Sequence, residues 1–369
     1  MGIFRATPVA FGASAALAVL AGCAGGNSPA ALSPGMPGVG GQSAQRQIVT
    51  ARPKNSVLPP YVALVSNERV ATASFMDPDS VSKPLVFVSD AANGVVDIYR
   101  AGGGHKVVGQ ITGLTEPQGL TTDAARNLYV ANTNSSDVLV YAPPYTGSPT
   151  LTISDPGEFP VDVAVSSEGV VAVTNICNAP SCSVSTANVD FYAQGATTNC
   201  ASVSDSAFNF AQIMFAAFDA KGDLYIDGLD GGYATSFGLV TGGCAATSIA
   251  SISPSAVYTL SFPGGIQIDK HGRIGFTDSY RRDEVTFNPP LNGAFTRPTS
   301  VIVLTGTVSP LGYALLASGK DIYVADPGGS GIAAEYPYPR GDGSALSTIA
   351  VGGQPIGVAV TPPITQEDN

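Results

Sequence analysis

The chain has no tryptophan, only two histidines and few charges: Asp, Glu, Lys and Arg together make up 12% of its 369 residues. The two histidines, His105 and His271, are too few for a histidine-rich metal centre and leave little room for His-based general-base chemistry. Basic residues are scarcer than acidic ones, 17 against 28, and they form no stripe. A formal charge of −11 repels a phosphate backbone, so nucleic acid is excluded as a partner. The plain consequence of that charge is solubility. Beyond the N-terminus no sustained amphipathic helical period occurs; apolar residues alternate or cluster in fours and fives instead.

What is abundant points one way. Gly (43) and Pro (28) punctuate runs rich in Val, Thr, Ile and Tyr, the composition of short strands joined by turns. The length suits one large all-β domain or two ordinary ones.

Residues 1–22 read as a signal peptide. Arg5 supplies a short positive region, and Pro8 to Leu20 a small apolar one that is too short to span a bilayer. The segment ends in Leu20-Ala21-Gly22-Cys23, which resembles the bacterial lipobox. That resemblance implies diacylglyceryl transfer to the Cys23 thiol and cleavage before it, so that the membrane becomes a partner through a lipid anchor. Ordinary secretion with cleavage near Ala24 is the alternative. Ala24, where an Asp would mark inner-membrane retention, implies export to the outer membrane of the cell envelope if the host is Gram-negative. Residues 23–60, the lipidated Cys and a stretch rich in Gly, Ser, Pro, Ala and Gln, bury too little apolar surface to order themselves and read as a tether. The folded domain is expected over 61–362, with a tail at 363–369.

Internal periodicity decides the architecture. Pro117-Gln-Gly-Leu-Thr-Thr-Asp123 leads through a turn to Leu128-Tyr-Val-Ala-Asn132, then to Asp137-Val-Leu-Val-Tyr141. The pattern returns from Pro160, Phe215, Pro263 and Pro310. Two fragments remain. Leu85 to Asp90 with Val96 to Tyr99 lacks a first strand, and Pro355 to Val360 is a first strand with nothing after it. Joined, they make one more unit. The expected fold is therefore all-β: a six-bladed β-propeller with four-stranded blades of about 40–50 residues, closed by pairing of the C-terminal strand with the N-terminal blade. A seven-bladed ring, with a further blade within 228–262 or before residue 84, is the competing architecture.

Over roughly residues 84–361 the motif Pro-x-Gly-apolar-x-x-Asp, followed by apolar-Tyr-Val-x-Asp/Asn, resembles the NHL repeat and shades into the lactonase-like propellers. Blade 3 departs from it with Ser166 at the turn Asp. Blade 4 departs by lacking the opening Pro and by carrying Gly228 at the closing Asp.

Besides Cys23 there are four cysteines, and export makes disulfides the natural reading. Cys177 and Cys182 flank one loop of blade 3, whereas Cys200 and Cys244 each follow a third strand in neighbouring blades. The expected pairs are Cys177–Cys182 and Cys200–Cys244. A metal or redox site is the alternative, although the C-x4-C spacing is not the usual one.

Propeller ligands are expected at the channel mouth, where the loops preceding the inner strands meet those after the second strands. These loops carry Glu116 and Glu158, and Asp90, Asn132, Asn175, Asp278 and Asp326. Asp162 stands out because its aligned positions are Gly119, Gly265, Gly312 and Gly357. As a functional set these residues make an oxygen-only ring suited to Ca2+ or another divalent cation. As a structural set, Asp and Asn after a strand cap their own turns, and a repeat arranges such caps in a ring by itself.

The lactonase-like resemblance implies a divalent-metal-dependent hydrolase, with Glu116 or Glu158 beside Asn132, Asn175 and Asp278. Streptogramin-lyase-like chemistry needs channel histidines. His271 lies in a turn on the opposite face, and His105 lies outside the inner strands. Gly102-Gly-Gly104 has no following helix and is no phosphate cradle. The tracts Tyr141 to Tyr145 and Tyr336 to Pro339 read as rigid blade linkers, or else as contact points. The expected function is a monomeric, non-catalytic binding or scaffold module for a protein or small ligand.

Overall fold

The computed structural model describes residues 73–102, 106–178, 186–205, 209–341, 343–364 and 366. The signal peptide, Cys23, the tether, His105 and Cys182 lie outside these residues. Six antiparallel sheets make up the domain, and apart from two single 3-10 turns the described residues contain no helix. Blade 1 is built from Leu85–Asp90, Val95–Arg100 and Val107–Thr112, with Pro355–Thr361 as its innermost strand. Leu85 pairs with Thr361 and Phe87 with Ala359, so the chain closes the ring as its repeats imply. A two-residue strand, Phe75–Met76, adds a fifth strand on the outer edge.

Blades 2 to 6 each contribute four consecutive strands. Blade 2 begins with Pro117–Thr122 and ends with Leu151–Ser154, and blade 3 runs from Glu158–Val165 to Ala201–Ser204. Blade 4 runs from Gln212–Phe218 to Ala250–Ile252, blade 5 from Ile266–Ile268 to Ser300–Val303, and blade 6 from Tyr313–Leu315 to Ser347–Ala350. The stretch 228–262, a candidate for a further blade, instead completes blade 4.

One local device recurs where the first strand turns into the second. The turn acid accepts the backbone N–H four residues on: Asn127 N to Asp123 (2.8 Å), Asp223 N to Asp219 (2.9 Å) and Arg273 N to Asp269 (3.0 Å). In blade 3 the Ser166 hydroxyl accepts the same bond from Val170 N at 3.0 Å. The departure from the motif is therefore one of residue and not of function.

Blade 4 solves its other departure by displacement. A Cβ on Gly228 would sit 1.9 Å from the Gln212 carbonyl oxygen, so no side chain fits there. The cap moves two residues on, to Asp230, which accepts from Gly232 N (2.7 Å) and Ala234 N (2.9 Å).

Hydroxyls fasten blade to blade close to the axis. Ser89 of blade 1 donates to the Gln118 carbonyl of blade 2 (2.7 Å), and Thr174 of blade 3 donates to the Met214 carbonyl of blade 4 (2.9 Å). Thr277 of blade 5 donates in the same way to the Leu311 carbonyl at the entry to blade 6. Apolar side chains fill the remaining space between blades. The densest cluster stacks Phe237 of blade 4 edge-on against Phe276 and Phe295, at ring separations of 5.1 and 5.3 Å. At the outer edge a disulfide joins Cys200 of blade 3 to Cys244 of blade 4, the expected pair. Cys177 is disulfide-bonded as well, and Cys182 falls outside the described residues.

Candidate functional site

The two ends of the central channel differ. At the mouth, where the inner strands begin, Val161, Ile176, Met214, Phe215, Leu311 and Ile356 close over a cavity of only about 10 Å³. This end is an apolar plug and not an open bowl. At the other end a cavity of about 130 Å³ is lined by the last residues of the inner strands, including Thr122, Asp162 and Gln267. Pro363, Ile364 and Gln366 also line it, and Gln366 donates to the Phe218 carbonyl at 2.9 Å.

Most of the expected ring is occupied with backbone amides. Asp326 accepts from Val308 N (2.6 Å), Ser309 N (2.8 Å) and Gly328 N (2.9 Å). Asp278 accepts from Ser261 N (2.7 Å), Arg281 N (3.0 Å) and Tyr280 N (3.1 Å). Asp90 accepts from Gln354 N (2.9 Å) and Asn93 N (3.1 Å), and Asn132 from Thr115 N (2.6 Å). Each side chain thus ties the loop that enters its blade's inner strand to the end of the second strand, which is a structural fastening. Glu116 is buried and accepts from Gln118 Nε2 at 3.2 Å.

Among the described residues no three His, Cys, Asp or Glu side chains are grouped to hold a metal ion. Of the set that the lactonase resemblance implies, Asn132 and Asp278 are spent on backbone amides while Glu158 and Asn175 bond side chains of blade 3, so these residues do not come together as one divalent-metal centre.

Asp162 points to the neighbouring blade. Buried, it accepts from Ala216 N of blade 4 at 3.0 Å, and burial pushes its carboxyl up to about 7. Its neighbour Gly119 has no room for a side chain: a Cβ there would lie 2.2 Å from Asp162 Oδ1. Asp227 of blade 4, fully buried, is held well above the usual carboxylate range by burial and by the charge of Asp162.

Two ring members, Glu158 and Asn175, belong elsewhere. With Asp155 and Asp190 they form an acidic cluster in a cleft between blades 2 and 3. Asp155 follows the outer strand of blade 2, Glu158 opens the inner strand of blade 3, and Asp190 lies in its third strand, Asn188–Tyr192. The cleft has a volume of about 390 Å³. Besides the three acids, Tyr192 and Pro156, its wall carries the hydroxyls of Ser154, Thr197, Thr198 and Ser202 and the amides of Asn188 and Asn199. Among the described residues no Lys, Arg or His lines it.

The cluster is ordered by polar side chains. Asn178 Nδ2 (2.8 Å) and Asn188 Nδ2 (3.3 Å) both donate to Glu158 Oε1. Tyr192 OH donates to Asp155 Oδ1 at 2.9 Å. Asn199 and Asn175 donate to the two oxygens of Asp190 at 3.1 and 3.0 Å, and buried Asn175 also donates to Asn188 Oδ1 at 2.8 Å. Three buried oxygens, Asp155 Oδ2, Glu158 Oε2 and Asn175 Oδ1, accept no hydrogen bond.

The electrostatics follow from that geometry. Burial, then the charge of Asp190, raises Asp155 to about 7. Burial, then the charges of Asp155 and Asp190, raises Glu158 to about 7. Carboxylates crowded together without a counter-cation hold a proton more tightly than in water.

Sequence reasoning missed Asp155 and Asp190. The repeat contained a signal for Asp190: it is in register with Asp97 of blade 1, which pairs across the sheet with Gln110 (2.7 Å), as Asp190 takes a bond from Asn199 beside its outer strand. Only at Asp190 do two further acids approach.

No protein-family model and no curated protein matches the chain. Among solved structures it is similar to a protein of unknown function from Bacteroides caccae, with TM-score 0.53 and 11% identity, covering 76% of this chain and 99% of that one. It is also similar to a functionally unknown protein from Desulfotomaculum acetoxidans DSM 771, with TM-score 0.51 and 13% identity, covering 82% of this chain and 92% of that one. At such identities the likeness is one of fold.

Proposed function

We propose that the protein is a lipid-anchored, non-catalytic binding module of the bacterial cell envelope, with its ligand site in the cleft between blades 2 and 3. The observation that carries this reading is the unpartnered pair of acceptors, Asp155 Oδ2 and Glu158 Oε2, in a polar cleft without basic residues. Buried acceptors left unpaired are costly, and a site that keeps them is built for a group that comes from outside. The blade grammar is NHL-like, and the plugged mouth moves recognition from the channel to the side of the ring. The lipobox-like Leu20-Ala21-Gly22-Cys23 and the tether after it support anchoring, with the outer membrane as the destination in a Gram-negative host.

Two measurements test the proposal. Fractionation of cells expressing the full chain should find it with membranes, and Cys23→Ala should release it to the soluble fraction; a Cys23→Ala chain that stays in the membrane fraction overturns the anchor. Thermal melting of the purified protein against a panel of neutral, anionic and cationic small solutes should find one that raises the midpoint by mass action. That shift should be lost in Glu158→Gln. A shift that survives the substitution places the ligand elsewhere, and a silent panel sinks the cleft reading.

A further inference from the structure

The blade 2/3 cleft is larger than a single ion needs, and all its formal charge has one sign. We infer that it recognises a small organic ammonium: a polar molecule that presents a primary amine to Asp155, Glu158 and Asp190. The inference rests on the binding reading above and adds the chemical class of the ligand.

Three observations converge on that class. The vacant groups are all acceptors. Asp155, only 3% exposed, offers Oδ2, and Glu158 offers Oε2, while the amides around them already donate to other oxygens. An ammonium carries three N–H donors and no acceptor, so it complements the acids, while the Ser and Thr hydroxyls on the same wall serve the rest of the molecule.

The acids also carry uncompensated charge at high pH, and a cation relieves the mutual repulsion of Asp155, Glu158 and Asp190. Finally, the acids line a wall and do not converge as metal ligands, among the described residues, and the volume of about 390 Å³ leaves room for a molecular body beyond its charged head. The hydroxyls of Ser154, Thr197, Thr198 and Ser202 suit a body that is polar.

The test is isothermal titration of the full-length protein at pH 8 with glucosamine and cadaverine. Glucose and 1,5-pentanediol serve as their neutral counterparts, with CaCl2 alongside. At least one amine should bind, and its neutral counterpart should not. Glu158→Gln and Asp155→Asn should each weaken binding about tenfold or more, since each removes a charged acceptor. Asp321→Asn, on blade 6, should leave it unchanged. Affinity should fall several-fold between pH 8 and pH 6, because Asp155 and Glu158 take up protons there while the amine stays charged.

Equal binding of an amine and its neutral counterpart overturns the ammonium and leaves the cleft as a binding site. Binding of Ca2+ in place of both amines, lost in Glu158→Gln, also overturns it and makes the site a metal site. Silence from every probe overturns the ammonium, and the cleft reading falls with it only if the wider solute panel is silent too.

Discussion

Asp278 and Asp155 lie near the same face of the ring, each at the end of a strand and each almost fully buried. Asp278 receives three backbone N–H bonds from the loops around it. Asp155 receives a phenolic O–H, has Asn175 and two other acids beside it, and keeps an oxygen to which no donor comes within hydrogen-bond geometry. The first side chain has become part of the backbone's hydrogen bonding. The second still needs a partner. In a repeat protein, where acids recur at fixed positions, the fate of the second oxygen separates a fastening from a site more reliably than the position does.

That contrast can be broken in several places. The largest effect is expected from removing a fastening. Asp326→Ala removes the acceptor of three part-buried N–H groups and should cost about 3 kcal/mol of stability in chemical denaturation. A loss under about 1 kcal/mol would mean that water replaces the carboxylate and that the ring acids are dispensable.

Asp162 falls between the two kinds, with a bond to the next blade but a raised affinity for protons. Gly119→Ala presses a methyl group onto its carboxylate and backbone and should cost about 2 kcal/mol, with the channel end shifting to accommodate it.

The cleft should respond in the opposite sense. A carboxyl raised to about 7 in the folded state binds its proton more tightly there than in the unfolded chain. Its contribution is therefore fully present below the unfolded value near 4 and is lost as pH rises through about 7. Asp155→Asn keeps the neutral form at every pH. It should gain about 1–2 kcal/mol over the natural protein at pH 8, less at pH 5 and nothing near pH 3, a difference that denaturant titrations at these pH values resolve. A loss at pH 8 instead would make Asp155 a fastening after all. The smallest effect is expected at Ser166→Ala, which removes one part-buried turn acceptor and should cost about 0.5–1 kcal/mol by thermal melting.

Much of the fold was legible in the residues because each strand pair and turn is local and repeats. The Pro-to-Asp spacing, the half-blade at each end and the placing of Cys200 and Cys244 all survive in three dimensions. What the repeat hid was the meaning of its acids. Asp90, Asn132, Asp278 and Asp326 share a position and a role, so their ring is a product of symmetry. Glu158 and Asn175 belong to the same loop classes but are drawn into the cleft by Asp155 and Asp190, which sit on different strands and become neighbours only when two blades pack. The plugged mouth was equally hidden. Val161, Met214, Phe215, Leu311 and Ile356 come from three different blades and from the closing strand, and no periodicity announces that they meet on the axis. The displaced cap at Asp230 shows that a missing motif residue can be replaced two positions on.

The pairing of Leu85–Asp90 with Pro355–Thr361 sets a timetable for the molecule. Until the last strand arrives, the first blade presents a bare edge ready to pair with any extended segment nearby. Contacts between such distant parts of a chain form slowly. A chain that emerges N-terminus first must keep that edge unclaimed until almost all of its length is available. The ring is thus complete only once Pro355–Thr361 has been delivered, and keeping Leu85–Asp90 unpaired until then is part of how the molecule folds.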